Sequence, residues 1–415
     1  MKKDNAIVIG AGITGVTTAY YLARQGFKVT VLDKEFTAGM LTSYANGGQL
    51  SVSNSEVWNT WSNVGHGFMW MFDSSAPLSV GMPDTKKIAW LTAFLYHTAR
   101  GAYDRNTRRT IEMGLAARNL YSEIVSKEGI EFDYSKKGIL HFYKDIKLFE
   151  KAKRSCDLYK DMCVDRVPLS RQQVIECEPA LAHMADKIVG GTYTESDAMG
   201  DIHKFCVNLA RVCQEKYGVR FIYDCEVTEI EHNRAKDAKI GVTTTCGMYH
   251  ADHVVICAGV YSSHVSGNTH FIKGADEYKD KPHIYPVKGY SLTIPKGNGT
   301  LPKVSLLDDA AKIVSSTLGD RLRVAGTAEL AGWNFDIRKC RTDPLLHWAR
   351  TMFPDLDYEN VVPWAGLRPM APNMLPVVRR HKVYENIWFN TGHGHLGWTL
   401  APYTAQLTSR LIADA

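Results

Sequence analysis

Ala6-Ile7-Val8-Ile9-Gly10-Ala11-Gly12-Ile13-Thr14-Gly15, near the start of a 415-residue chain, decides the fold class. Its first four residues form an apolar run, as a buried parallel strand requires. The next six read G-x-G-x-x-G. Val16–Gln25 then reads as a helix stopped by Gly26, Lys28–Leu32 as a second strand, and Asp33 ends that strand. The whole is a βαβ unit of about 30 residues. Gly10 permits a tight turn, Gly12 lets the backbone approach a pyrophosphate, and Gly15 lets helix and strand pack closely. The helix N-terminus offers unpaired N–H groups to phosphate. Asp33, 18 residues past Gly15, can accept hydrogen bonds from a ribose diol.

Both NAD and FAD carry the adenosine diphosphate that such a unit binds. An NAD enzyme continues with regular βα units, and this chain does not. Residues 34–51, KEFTAGMLTSYANGGQLS, form a polar, glycine-rich loop. Such a loop can wrap the far half of a larger cofactor, with Ser43, Asn46, Gly47, Gly48 and Gln49 as contact or close-approach positions. That favours FAD.

Working outward, the length predicts two to three domains. Apolar residues at 45% and charged residues at 22% match a soluble globular enzyme and exclude a disordered, fibrous or integral-membrane chain. The net charge of +5 is small and spread out, so nucleic acid is not an expected partner. It suits an acidic small molecule or an anionic membrane face. Nine cysteines without a C-x-x-C pair suggest neither disulfides nor zinc, and a reducing, cytoplasmic-side location. The N-terminal apolar run is too short and glycine-broken for a signal peptide. No stretch of 18 apolar residues predicts a spanning helix. Trp58, Trp61, Phe68, Trp70, Met71 and Phe72, followed by KKIAWLTAFLYHTAR at 86–100, leave two readings. One is a helical lid over the core. The other is a membrane-facing patch with Lys86, Lys87 and Arg100 near the headgroups.

Further along, Arg105–Glu128 and Asp201–Lys216 read as helices. Val219–Ile230, Ile240–Thr245 and His253–Ile256 read as strands, the last running into Cys257-Ala258-Gly259. Strands dominate 284–330, and Leu396–Ile412 is helical. Regular βα alternation at both ends with strands between predicts two interleaved domains. Two segments carry further chemistry, GLRPMAPN at 366–373 and NTGHGHLGWT at 390–399. In the second, Gly392, Gly394 and Gly397 allow backbone to approach a flat ring, and the helix N-terminus near Leu396 would stabilise negative charge on a reduced flavin. His393 and His395 have no third metal ligand in view, so no metal is expected. Arg368, before a proline, is biased to extended backbone and can grip a carboxylate bidentately or serve in a buried ion pair.

GAGITGVTTAYYLARQG, TSYANGGQLS, YPVKGYSLTIP, RVAGTAELAGW, GLRPMAPN and NTGHGHLGWT together resemble the FAD-dependent D-amino acid dehydrogenase branch of the D-amino acid oxidase-like (glycine oxidase) superfamily. The resemblance spans nearly the whole chain. It implies an α/β and α+β protein: a Rossmann-like FAD-binding domain of the glutathione-reductase type, interleaved with a substrate domain on a large mixed β-sheet. The expected division is 1–55, 190–270 and 362–415 for FAD, and 56–189 and 271–361 for substrate. It implies oxidative deamination of D-amino acids to 2-oxo acids and ammonia, by hydride transfer from Cα to flavin N5. The electrons would pass to a quinone or other respiratory acceptor, with the protein peripheral on the cytoplasmic side of the inner membrane. Arg368 matches the arginine that binds the substrate carboxylate, and Gly366 stands where covalent relatives carry a cysteine, which implies non-covalent FAD. Tyr290 in PVKGY would add a polar contact, and His393 joins the catalytic candidates. Expected cofactor contacts are Gly10, Gly12, Ile13, Thr14, Gly15, Asp33, Lys34, Ser43, Asn46, Gly47, Gly48, Gln49, Val227, Ala258, Gly259, Gly394, His395, Leu396, Gly397, Trp398 and Thr399. Two departures stand out: Leu41 replaces a glutamate of the branch, and Pro372-Asn373-Met374-Leu375-Pro376 stands where the branch reads Pro-Asp-Gly-x-Pro near the arginine, where the bulkier Met374 and Leu375 could reshape the pocket. Alternatives are an enzyme of another amine (glycine, sarcosine or a proline derivative) and a membrane-associated electron-transfer subunit.

Overall fold

A computed structural model describes residues 4–70, 78–80, 84–231, 239–267, 272–273 and 280–415. Asn5–Ile9 is a strand, Ile13–Arg24 a helix, and Lys28–Leu32 a strand parallel to the first. The first strand is buried on both faces. Ala6 and Val8 belong to one core, Ile7 and Ile9 to another. That is why it reads as an unbroken apolar run rather than an alternating one. The helix carries one charge, Arg24 in its last turn, where a cation complements the helix dipole. Its Val16, Ala19, Tyr20 and Leu22 are buried, and it packs on helices Ile202–Tyr217 and Gly397–Ala413.

Among the described residues, six strands form the first sheet, in the order Val377–Arg380, Ile387–Thr391, His253–Ile256, Asn5–Ile9, Lys28–Leu32 and Arg220–Ile222. All neighbours are parallel except the Val377–Arg380 edge. Helices cover one face. On the other face Ile230, Ile240 and Val242 of a smaller, four-stranded sheet pack on Ile7, Ile9 and Ile256. The predicted strand Val219–Ile230 is really two. Arg220–Ile222 joins the parallel sheet and Val227–Glu231 the small one. Asp224 between them has φ +51°, a left-handed turn that aspartate tolerates better than most residues.

The second large sheet is mixed. Its order is Val362–Met370, Tyr285–Pro295, Arg321–Leu330, Ile313–Leu318, Ser305–Asp308, Ile139–Tyr143, Gly190–Thr194 and Arg166–Leu169, with Leu78–Val80 added beside Arg321–Leu330. Leu345, Trp348 and Met352 of helix Lys339–Met352 cover one face, against Leu292, Leu322 and Val324. Two strands correct the sequence division. Gly190–Thr194 and Val362–Met370 were grouped with the cofactor segments but hydrogen-bond into this sheet. Packing explains the first: a Cβ at Gly190 would sit 2.3 Å from the Phe149 ring, so the glycine fits only under that side chain. The second pairs with Tyr285–Pro295 in unbroken register from Met370 to Val362.

No described helix is long and apolar enough to cross a membrane. Helix Thr85–Ala99 buries Trp90 and Thr98 and leaves Ile88, Leu95 and Tyr96 exposed. Lys87, which the membrane reading places near headgroups, is buried on the inner face, while Lys86 and Arg100 are exposed. Trp61 is exposed and Trp58 half-buried. The side chains of Phe68 and Trp70, and all of Met71 and Phe72, lie outside the described residues. All nine cysteines are free thiols.

Candidate active site

A cavity opens at the C-terminal ends of four parallel strands, where Gly10, Asp33, Ala258, Gly259 and Gly392 line it. Ligands of open α/β sheets bind at this edge. It continues to the Val362–Met370 strand of the large sheet, where Trp364 and Arg368 line it.

The first end is built from glycines. Gly10 has φ +104°, and a Cβ there would lie 2.7 Å from the Cys257 carbonyl oxygen. A Cβ on Gly15 would lie 1.8 Å from the Gly10 carbonyl oxygen, so Gly15 acts in packing and does not line the cavity. Gly12 caps the helix without a side chain. The Ile13 N–H donates to Ser43 Oγ at 3.1 Å, so one helix-terminal donor is held by the protein itself. Asp33 accepts from the Ala11 N–H and, at 2.8 Å, from the Glu35 N–H. Burial raises its pKa, and these two N–H groups oppose the rise. Thr14, Lys34 and Val227 also line the cavity. A glycine floor that any Cβ would fill, a carboxylate at the second strand end and a cavity extending well beyond them fit an adenine dinucleotide.

The 34–51 loop divides. Ser43 and Asn46 line the cavity, and Thr42 Oγ1 donates to the Leu367 carbonyl at 2.7 Å, tying the loop to the large sheet. Gly47, Gly48 and Gln49 do not line it. A Cβ on Gly47 would meet Val314 at 2.6 Å, and Gln49 Nε2 donates to Ser305 Oγ at 2.9 Å. At both glycines an added Cβ would press on the large sheet, against Val314 for Gly47 and Leu318 and Ser316 for Gly48.

The 390–399 segment also divides. Gly394, His395, Gly397 and Trp398 line the cavity. Leu396 is turned into the core, and Thr399 Oγ1 accepts from the Ser51 N–H at 3.3 Å. His393 lines the cavity, with its Nε2 2.9 Å from Thr404 Oγ1. Burial pushes its pKa down to about 3. His395 stacks on Trp58 at 4.8 Å, and burial with the nearby Arg368 charge pushes it down to about 4. Both are therefore neutral and very weakly basic at pH 7. For His393 the sign is clear: its folded pKa lies below the unfolded value of about 6.5. Its contribution to stability is present above pH 6.5 and is lost as pH falls towards 3, by about 1.4 kcal/mol per pH unit. His393→Gln should flatten the fall of melting temperature between pH 6.5 and 4, and an unchanged slope would refute this.

At the far end Arg368 Nη1 donates to the Thr327 carbonyl at 3.2 Å, with a long contact to the Lys288 carbonyl at 3.5 Å. Among the described residues no carboxylate pairs with it, and burial pushes its pKa down to about 10. Two features make room for it. Gly289 has no side chain where the guanidinium lies, since a Cβ would be 2.3 Å from it. Strand Arg321–Leu330 bulges opposite Gly289, where Thr327 and Ala328 face one residue, and Thr327 has a φ of +57° that is unusual for a β-branched residue. Tyr290 does not line the cavity; its hydroxyl donates to buried Glu329 at 2.6 Å. Met374 and Leu375 do not line it either, and Met374 packs with Trp90 and Tyr285. Trp364 and Phe335 do line it and were not foreseen. Trp364 shares a strand face with Arg368, so strand alternation could have revealed it. Phe335 lies in a loop that carries no periodic signal.

The family model described as FAD dependent oxidoreductase matches residues 5–411. A Mesorhizobium japonicum protein named D-amino acid dehydrogenase 3 is 45% identical over 413 residues, covering 98% of this chain and 96% of that one. A Paramagnetospirillum magneticum D-amino acid dehydrogenase is 36% identical over 411 residues, covering 98% and 94%. Glycine oxidase from Geobacillus kaustophilus superposes with a TM-score of 0.74 at 19% identity, covering 99% of this chain and 95% of that one. Glycine oxidase from Bacillus cereus gives 0.72 at 21%, with the same coverage.

Proposed function

The chain belongs to the FAD-dependent oxidoreductase family, and on that premise we propose that it oxidises D-amino acids to 2-oxo acids and ammonia. The observation that carries the reading is Arg368, a cavity-lining guanidinium held by backbone carbonyls with no carboxylate partner among the described residues. A substrate carboxylate would complete it with two charge-assisted hydrogen bonds. Arg368 then fixes the Cα–H direction, and the cavity walls exclude water. Bound FAD supplies the hydride acceptor for the Cα hydrogen. The amine loses its proton to solvent, and the resulting imine hydrolyses in water. No base is required, in keeping with the neutral His393 and His395.

We assign the pyrophosphate to Gly10, Gly12 and the helix they open, the ribose to Asp33, and the ring edge to the Gly394–Trp398 turn. With Gly366 at the covalent-cysteine position, the cofactor is held non-covalently. The cofactor domain is the one built on the six-stranded sheet, and the substrate domain the one built on the nine-stranded sheet. We assign the electron acceptor as a quinone. Exposed Ile88, Leu95 and Tyr96, flanked by Lys86 and Arg100, are the face that would meet the inner membrane from the cytoplasmic side.

One experiment tests the reading. D- and L-amino acids, glycine and sarcosine are added anaerobically to the yellow protein. D-amino acids should bleach the flavin, and a quinone should restore its colour faster than air. Bleaching only by glycine, sarcosine or L-amino acids would overturn it.

A further inference from the structure

The 331–338 segment joins strand Arg321–Leu330 to helix Lys339–Met352 without regular structure of its own. It nevertheless bears on the cavity. The Trp333 ring packs on Tyr261 at 4.9 Å and on His264 at 4.6 Å, both cavity-lining residues. Phe335 lines the cavity while 48% exposed, which places it at the mouth. Trp364 stands on the same strand face as Arg368, its ring beside the Cα of Gly366, where a Cβ would lie 2.1 Å from it.

One buried lysine holds the segment. Lys288 is 0% exposed, and its Nζ donates to Asn334 Oδ1 at 2.6 Å and to the Asp336 carbonyl at 2.9 Å. Glu329, 3.5 Å from the same Nζ, also accepts from Tyr290 and from Arg338 at the end of the segment. A buried ammonium is unfavourable unless fully hydrogen-bonded, so this cluster is tightly specified. The Lys288 carbonyl faces Arg368, so one residue touches both the loop and the carboxylate-binding end.

We propose that residues 331–338 form the side-chain wall of the substrate site, that Lys288 is the positioning residue holding it, and that the site selects substrates with large apolar side chains. The choice of side chain follows from charge. The lining acids Asp33, Glu35 and Glu226 stand at the sheet edge, with Asp33 bonded to the Glu35 N–H, and the Lys34 ammonium is taken up over the Tyr261 ring at 4.2 Å. At the other end burial is the cause of the Arg368 shift, no acidic group among the described residues pairs with it, and the Trp364 and Phe335 rings line the same cavity. Among the described residues a second charge on the substrate would find no partner there. The proposal rests on the D-amino acid reading for the reacting group.

The test compares FAD-loaded wild type, Phe335→Ala, Asn334→Ala and Lys288→Met. Two ratios are read: kcat/KM for D-phenylalanine over D-alanine, and Kd for propanoate over 3-phenylpropanoate, from the absorbance of bound flavin. Both should favour the aromatic ligand in wild type and fall about tenfold in Phe335→Ala, as loss of an apolar wall predicts. Asn334→Ala and Lys288→Met should move the ratios in the same direction with FAD content unchanged. If Lys288→Met does not fold, Asn334→Ala decides the tether. Ratios unmoved in Phe335→Ala would overturn the wall, and ratios unmoved in Asn334→Ala would overturn the tether. A wild type that oxidises no D-amino acid yet prefers 3-phenylpropanoate would sink the activity and leave the wall standing.

Discussion

Arg368→Ala should purify yellow and lose kcat/KM for D-amino acids by about a hundredfold or more, chiefly through KM. Arg368 sits on the large sheet, away from the glycines of the first strand, so its loss leaves those contacts intact. Among the described residues the wild-type guanidinium has only backbone oxygens as partners, so removing it strands no described buried acid in the free protein. The penalty therefore falls on the substrate, whose carboxylate enters a half-buried site without a counter-charge. Arg368→Lys should recover part of the loss, because an ammonium supplies charge but not the planar fork. A KM unchanged in Arg368→Ala would remove the arginine from the substrate site.

Gly15→Ala should have the largest effect on the protein itself. The added carbon would lie 1.8 Å from the Gly10 carbonyl oxygen, and backbone on both sides must move. Overpacking of this kind costs about 3 kcal/mol or more. The strand and helix it separates also carry Gly10, Gly12 and the Asp33–Ala11 hydrogen bond, so cofactor binding should fail together with stability. A colourless protein with a markedly lower melting temperature is the expected outcome. Normal FAD content and melting temperature would show that the backbone relaxes freely, and would undo the close-packing argument.

The opening βαβ unit was readable because its requirements are local. The spacing of Gly10, Gly12, Gly15 and Asp33 lies within one short stretch, and each residue meets its neighbours in that stretch. Gly47 and Gly48 show the opposite case. Their need for a missing side chain comes from Val314, Ser316 and Leu318, far along the chain, and nothing in the loop says whether sheet or cofactor lies above them. Tyr290 and Trp364 stand on paired strands of one sheet. Alternation tells which residues share a face, but the face that looks into the cavity depends on how the two large sheets meet. Val219–Ile230 reads as one strand because β-branched and apolar residues run through both halves, while the break at 223–226 turns on the left-handed backbone of Asp224, which alternation does not reveal. Phe335 had no signal at all, since its position is set by the contacts of Asn334 and Asp336 with Lys288.

The order of strands in the parallel sheet also bears on how the protein is made. The strand Asn5–Ile9 leaves the ribosome before its neighbours but lies between Lys28–Leu32 and His253–Ile256, and the latter pairs with Ile387–Thr391, made far later. The glycine cradle therefore waits for Cys257, and the far wall for Gly394. At about 5–20 residues per second, roughly 20 to 80 s of synthesis separate the first part of the site from the last. During that interval the apolar edge of Asn5–Ile9 has no permanent neighbour on one side, a time when a nascent chain is open to aggregation and to chaperones. Cofactor capture then waits until Gly394 has been made, and the supply of FAD at that stage becomes part of how much active protein a cell obtains.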